Sequence, residues 1–136
     1  LSESPISLNF SPAGADSIGM TPSSFGIDLL AQVLDASALR HRVIAQNIAN
    51  VNTPGYKRLE VAFEGELKQA LALPGGGTGH VAPTVIPTDA PERVDGNTVD
   101  IDREMNEVAK NGLLYQAMSQ ILASRLGSLR SAISGR

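Results

Sequence analysis

The side chains with the most chemical potential in this chain are carboxylates, amides and two histidines. Asp89, Glu92, Asp95, Asp100, Asp102 and Glu104 fall within one short stretch, and oxygen-rich groups of this kind suit hard cations such as calcium. The spacing is not that of a calcium loop, because the alternating oxygen ligands, the central glycine and the closing glutamate are missing. The stretch reads instead as a turn at Asp95-Gly96 followed by the acidic first turn of a helix. Gly75-Gly76-Gly77-Thr78-Gly79 resembles a phosphate cradle only in glycine content, since no Lys-Ser/Thr follows and no strand-to-helix context surrounds it. It reads as a linker. His41 and His80 lie far apart, one on a helix seam and one in a loop, and make no metal or triad constellation. On a seam His41 is expected to set register as a polar contact, and its titration would make assembly pH-dependent. Asn9-Phe10-Ser11 fits the glycosylation acceptor pattern, a short pattern with frequent chance matches. No serine sits in a nucleophile elbow. With no cysteine in the chain, disulfides, thiolate metal sites and a cysteine nucleophile are excluded. The chain is therefore expected not to be an enzyme, and to have no catalytic, metal or cofactor site.

The amides carry more information. In Asn47-Ile48-Ala49-Asn50-Val51-Asn52-Thr53-Pro54-Gly55-Tyr56-Lys57, Asn52 to Gly55 read as a helix end. Proline disfavours helical backbone in the residue before it, and glycine permits positive φ. Asn47 and Asn50 are left over, one turn apart beside an apolar seam. A local cap and an intermolecular clamp that fixes register in a packed assembly account for them equally well.

The elements that must position these groups divide the 136 residues into four parts. Residues 1–22 are rich in Ser, Pro and Gly without a period and read as a mobile arm. Residues 23–51 read as a helix capped by Ser23 or Ser24, about 40 Å long. Its seam is Ile27, Leu30, Leu34, Ser37, His41, Ile44, Ile48 and Val51, alternating steps of three and four. Residues 52–99 hold the turn, an extended piece at 56–63, a short helix at 64–73 and a flexible Gly/Pro-rich loop, with at best a short edge strand at 81–86. Residues 100–136 carry the second long helix, capped by Asp100 or Asp102. Its expected seam is Met105, Val108, Gly112, Tyr115, Ser119, Leu122, Leu126, Leu129 and Ile133. The expected fold is mainly α, with long N- and C-terminal helices paired as an antiparallel coiled-coil-like hairpin around a partly extended middle.

Composition points the same way. Aromatic residues are 4% of the chain and charged residues 18%, so a core of small aliphatics with apolar faces left over is expected, and other chains would cover those faces. A net charge of −3 offers no basic excess to neutralise phosphates, which argues against nucleic acid as a partner. No apolar run is long enough to span a bilayer, and the first twenty residues show no secretory signal pattern. A self-contained helical adaptor module is the alternative to a self-assembling subunit.

The run Asn47 to Lys57 resembles the N-terminal signature of the bacterial flagellar axial proteins, those of rod, hook and hook-associated structures. The second block, Asp95-Gly96-Asn97-Thr98-Val99-Asp100-Ile101-Asp102-Arg103-Glu104-Met105 with Asn111 and Tyr115-Gln116, is similar to that of short proximal rod subunits. FlgC-like rod proteins, the nearest alternative, usually carry Asp-Pro-x-Gly-Tyr in the later half, and this sequence does not. The resemblance implies a structural subunit of the proximal rod, with no cofactor and no small-molecule substrate. Such a subunit is exported unfolded through the flagellar type III apparatus without a cleaved signal peptide, and builds a torque-transmitting helical tube across the periplasm. Its partners would be copies of itself, FlgC-like rod proteins and the basal-body protein FliE. Asn47, Ile48, Asn50, Thr53, Pro54, Gly55 and Tyr56 would form the packing turn, and Asn97, Val99, Asp100, Glu104, Asn111 and Tyr115 the matching block. Leu30, Leu34, His41, Ile44, Met105, Val108, Leu122, Leu126 and Leu129 complete the expected assembly interface from the helix seams.

Overall fold

The computed structural model describes residues 22–72 and 80–135. The arm expected at 1–22, apart from its last residue, and the glycine run at 75–79 lie outside the described residues. So does the Asn9-Phe10-Ser11 pattern.

Five elements follow in order: α1 (Pro22–Ala49), β1 (Leu59–Ala62), α2 (Glu64–Ala72), β2 (Thr84–Pro87) and α3 (Ile101–Ser134). Helix α1 opens on Pro22, a residue whose fixed φ suits the first helical position, one residue before the expected start. The capping expected of Ser23 or Ser24 falls on side chains outside those described. Helix α1 ends at Ala49, two residues before the expected limit, and the turns that follow close on Thr53 and Gly55. The start of α3 is capped as expected by Asp100, whose carboxylate accepts from the amides of Asp102 and Arg103. Asp102 and Glu104 add negative charge to that first turn, where the macrodipole favours it.

The middle segment is more regular than expected. Strands β1 and β2 pair antiparallel from Leu59 opposite Pro87 to Ala62 opposite Thr84, so the predicted edge strand has a partner. Side chains alternate across β1. Val61 and Phe63 are buried with Ala36 and Val43 of α1, and Val33, Leu39, Leu59, Leu67 and Val81 pack round them. The main apolar core therefore lies between α1 and the small sheet. The other face of β1 carries Arg58 and Glu60, ion-paired at 2.9 Å, towards the start of α3.

Helices α1 and α3 pack against each other, with opposed directions given by the pairs Asn47–Glu104 and Ser37–Asn111. The seam of α3 is the expected one only in part. Val108, Ser119 and Leu122 are half-buried as expected, but Met105, Gly112 and Tyr115 are exposed, whereas Glu104, Asn111 and Leu114, each one position earlier, are buried or half-buried. One residue turns a helix by about 100°, so the inward face of α3 is displaced by a fraction of that angle from the one its apolar residues alone would select.

Candidate functional site

The turn after α1, the start of β1 and the start of α3 meet in a cluster of polar side chains closed off from solvent. Asn47 projects from the last turns of α1 and is 0% exposed. Its amide nitrogen donates to the carbonyl of Leu59 at 2.8 Å and to Glu104 Oε2 at 2.9 Å. Its oxygen accepts from the Leu59 amide at 3.0 Å and from the Tyr56 hydroxyl at 3.4 Å. The side chain thus pairs with both backbone groups of Leu59, as a neighbouring strand would, and uses its full donor and acceptor capacity.

Glu104, also 0% exposed, receives the second half of the cluster. Arg58 Nε donates to Glu104 Oε1 at 2.5 Å and Arg58 Nη1 to Glu60 at 2.9 Å. Burial works against the Arg58 charge, but the hydrogen bonds and charges of Glu104 and Glu60 outweigh it and raise its pKa above the usual arginine range. Burial, followed by the nearby Glu104 charge, raises Tyr56 above its ordinary value of 10.0. A buried carboxylate is tolerated only when paired and hydrogen-bonded, and Glu104 is both.

Asn97 closes the turn. Its amide nitrogen donates to the carbonyls of Asn50, Val51 and Thr53 at 2.9, 3.2 and 2.8 Å. These three carbonyls belong to the turn that follows α1, and the one side chain ties them together. Its side-chain oxygen accepts from the Val99 amide at 2.7 Å. Gly96, at φ 77°, lets the backbone come so near that a Cβ there would lie 3.4 Å from the Gly55 Cα. The Gly55 amide donates to Asp95 O at 2.8 Å, and Thr98 N to Tyr56 O at 3.1 Å. The Thr98 hydroxyl accepts from the Arg58 amide at 2.8 Å.

The two sequence blocks expected to share a role are therefore brought together within one chain, over separations of 40 residues and more. Asn47 reaches across to β1 and α3. Asn50 acts locally, donating to Gln46 O at 2.8 Å and accepting from the Thr53 hydroxyl. Neither contact requires a second chain. The acidic residues around the turn are spread over structural contacts: Glu92 pairs with Lys57, Asp95 accepts from the Asn97 amide, Asp100 caps and Glu104 pairs with Arg58. Among the described residues every buried side-chain nitrogen and oxygen has a hydrogen-bond partner.

The remaining expected residues fall into two groups. Ile44 and Val99 are buried, and Leu30, Leu34, Ile48, Tyr56, Val108 and Leu122 are half-buried. His41, Thr53, Pro54, Gly55, Asp100, Met105, Tyr115, Leu126 and Leu129 are exposed. His41 is thus not the register contact between the two helices. Ser37 fills that place: its hydroxyl donates to Asn111 Oδ1 at 2.8 Å, and Asn111 Nδ2 donates back to Ser37 O at 2.9 Å.

Arg58 was not among the expected residues, though a signal existed. It precedes a strand whose alternate positions, Val61 and Phe63, point to the apolar core, so Arg58 and Glu60 share the opposite face. What that face meets is 46 residues away, and spacing gives no hint of it. Beyond the cluster, α3 runs on with Met105, Leu113, Tyr115, Ile121, Leu126, Leu129 and Ile133 exposed, Met105 at 57% and Ile133 at 87%. These large apolar side chains are left uncovered by the rest of the described chain.

Comparison with known proteins bears on both features. A family model described as "Flagella basal body rod protein" matches residues 34–57, the segment holding Ser37, Asn47 and the turn. The flagellar basal body rod protein FlgB of Salmonella typhimurium is 35% identical over 123 residues, covering 76% of this chain and 89% of its own. That of Bacillus subtilis is 30% identical, covering 80% and 93%, and that of Borrelia hermsii 35% identical, covering 79% and 94%.

Proposed function

The chain belongs to the FlgB family of flagellar basal body rod proteins, and on that premise we propose that it is a structural subunit of the proximal rod that polymerises through its terminal helices. Membership implies a place in the flagellar basal body and assembly with other rod and basal-body proteins. The finer reading is a helical tube in the periplasm that transmits torque, made of copies of this chain. FlgC-like rod proteins and FliE are its neighbours, and the type III apparatus delivers it without a cleaved signal peptide. The role needs no catalysis.

One observation carries this reading. The polar cluster is satisfied within a single chain, while the apolar side chains along the later part of α3 are left in water. Each large aliphatic side chain moved from water into a packed interface stabilises by about 1.5–3 kcal/mol. Subunits related head to tail meet through unlike surfaces, and such contacts generate a filament or tube where a two-fold interface would close a dimer. Neighbouring helices at the growing end would then hold the exposed half of α3, so its order rises with incorporation.

Deleting the gene for this chain in its own bacterium tests the reading. Basal bodies isolated from the deletion strain should lack the rod, and the cells should be non-motile until the intact gene is returned. A motile deletion strain with complete rods would overturn it.

A further inference from the structure

Only two residues of the 34-residue helix α3 are buried among those described, Glu104 and Asn111, and both are polar. They stand seven residues apart and therefore on one stripe of the helix. Each is hydrogen-bonded to α1, through Asn47 and Ser37. Val108, Leu114, Met118 and Leu122, on or beside this stripe, are only half-buried, and the other large apolar residues of α3 are exposed. A helix pair joined by aliphatic side chains can slide by a turn or rotate and still bury comparable area. A buried carboxylate and a buried amide have their partners in one arrangement only. A slip of one turn, about 5.4 Å, would take Glu104 and Asn111 from their partners and leave Arg58 Nε and one amide hydrogen of Asn47 without an acceptor, and each orphaned group is costly.

We propose that Asn47–Glu104 and Ser37–Asn111 are two pins that fix the axial register and the rotation of α3 on α1, and so select which face of α3 is given to neighbouring subunits. The partial turn of α3 away from its expected apolar seam is the direct result. Glu104 and Asn111 occupy the inward stripe, so Met105 and Tyr115 are turned to the outside. With α3 held at these two points, the projection of its last turns beyond the start of α1 has a fixed length and direction. A polymer needs this, because an error in either would recur at every subunit. The pins are properties of the single chain, and only their consequence for packing rests on the rod-subunit reading.

The experiment uses the absence of natural cysteine. Spin labels are placed on Ala45→Cys in α1 and Ala117→Cys in α3, both exposed, and their distance distribution is measured in the isolated full chain. The chain with its pins intact should give one narrow distance. Replacing Ser37→Ala, Glu104→Met and Asn111→Leu together removes both pins from α3 without leaving a polar group of that helix buried. With helical content retained, the distance should broaden or acquire a second population displaced by about one turn. An unchanged narrow distance would overturn the proposal.

If the triple variant loses its helical signal, Ser37→Ala with Asn111→Leu decides, because Glu104 and Arg58 stay paired. The label at 117 lies beyond the surviving pin, so its distance should still broaden, and an unchanged width again overturns the proposal. With Asn111 kept, Ser37→Thr, which retains the hydroxyl, should keep the narrow distance. Failure of the rod-subunit reading would appear separately, as intact rods in the deletion strain, and would leave these distances untouched.

Discussion

At the scale of single residues, the cluster is built from side chains that imitate backbone. Asn47 supplies Leu59 with the donor and acceptor of a missing strand, and Asn97 supplies the turn after α1 with a donor for its carbonyls. Asparagine suits both tasks because its short amide carries two donors and two acceptors. Tyr56 lies against this arrangement, and its ionisation reports on it. Burial, then the Glu104 carboxylate, favours the neutral phenol and raises its pKa above 10.0. The sign follows from linkage. The contribution is fully present below the ordinary tyrosine value, where the phenol is neutral in folded and unfolded chains alike. It is lost as pH rises through the raised folded value, because the unfolded chain ionises first. The sequence has two tyrosines, so Tyr115→Phe isolates the signal. Phenolate absorbance of that variant should have its midpoint above 10.0 when folded and return to the ordinary value in urea. A folded midpoint at or below the ordinary value would mean that the phenol does not lie beside Asn47 and Glu104.

At the scale of elements, the two blocks are held together by a close approach of turns. Gly96 and Gly55 both have positive φ, 77° and 71°, which L-residues enter at a cost of about 1–2 kcal/mol. A Cβ on Gly96 would stand 3.4 Å from the Gly55 Cα, in ordinary van der Waals contact, and a Cβ on Gly55 would meet nothing within 4 Å. The backbone cost therefore decides at both positions, and Gly96→Ala and Gly55→Ala should each cost about 1–2 kcal/mol, read from urea denaturation midpoints. A loss well above this for Gly96→Ala alone would show that the two turns approach more tightly than this contact. The helices, the turn and the acidic cap were legible in the sequence, because periodicity, Pro-Gly chemistry and the macrodipole act over one or two turns. The pairing of β1 with β2 was not, since each is four residues long and most of β2 has no periodic signal. The seam of α3 was misplaced in part, at Met105, Gly112 and Tyr115, for a related reason. A heptad template weights apolar residues, and the two buried residues of α3 are Glu104 and Asn111, whose partners are 57 and 74 residues away.

At the scale of the whole molecule, the chain is unequal along its length. Around the cluster, side chains from α1, β1, the turn and α3 lock one another, whereas past Leu122 every described residue of α3 is exposed. Helical hydrogen bonds with few buried contacts open easily, so the later part of α3 should exchange its amide hydrogens quickly in dilute monomer and become protected as mass rises by light scattering. Residues 43–47 and 104–111 should be protected throughout. The looseness belongs to the part of α3 beyond its pins. A pair of substitutions separates folding from assembly on the same grounds. Leu129 is exposed, so Leu129→Asp should leave the urea midpoint of the monomer within about 0.5 kcal/mol while abolishing incorporation into rods. Leu122 is half-buried, so Leu122→Asp should abolish incorporation, leave a soluble monomer and also cost it about 1–2 kcal/mol. The contrast matters more than either loss alone. Two substitutions of the same chemistry, seven residues apart on one helix, differ only in what the single chain already covers. If Leu129→Asp weakens the monomer as much as Leu122→Asp, the end of α3 is already packed in the free chain. If Leu129→Asp monomers enter rods as readily as the unaltered chain, the exposed apolar stripe is not where subunits meet.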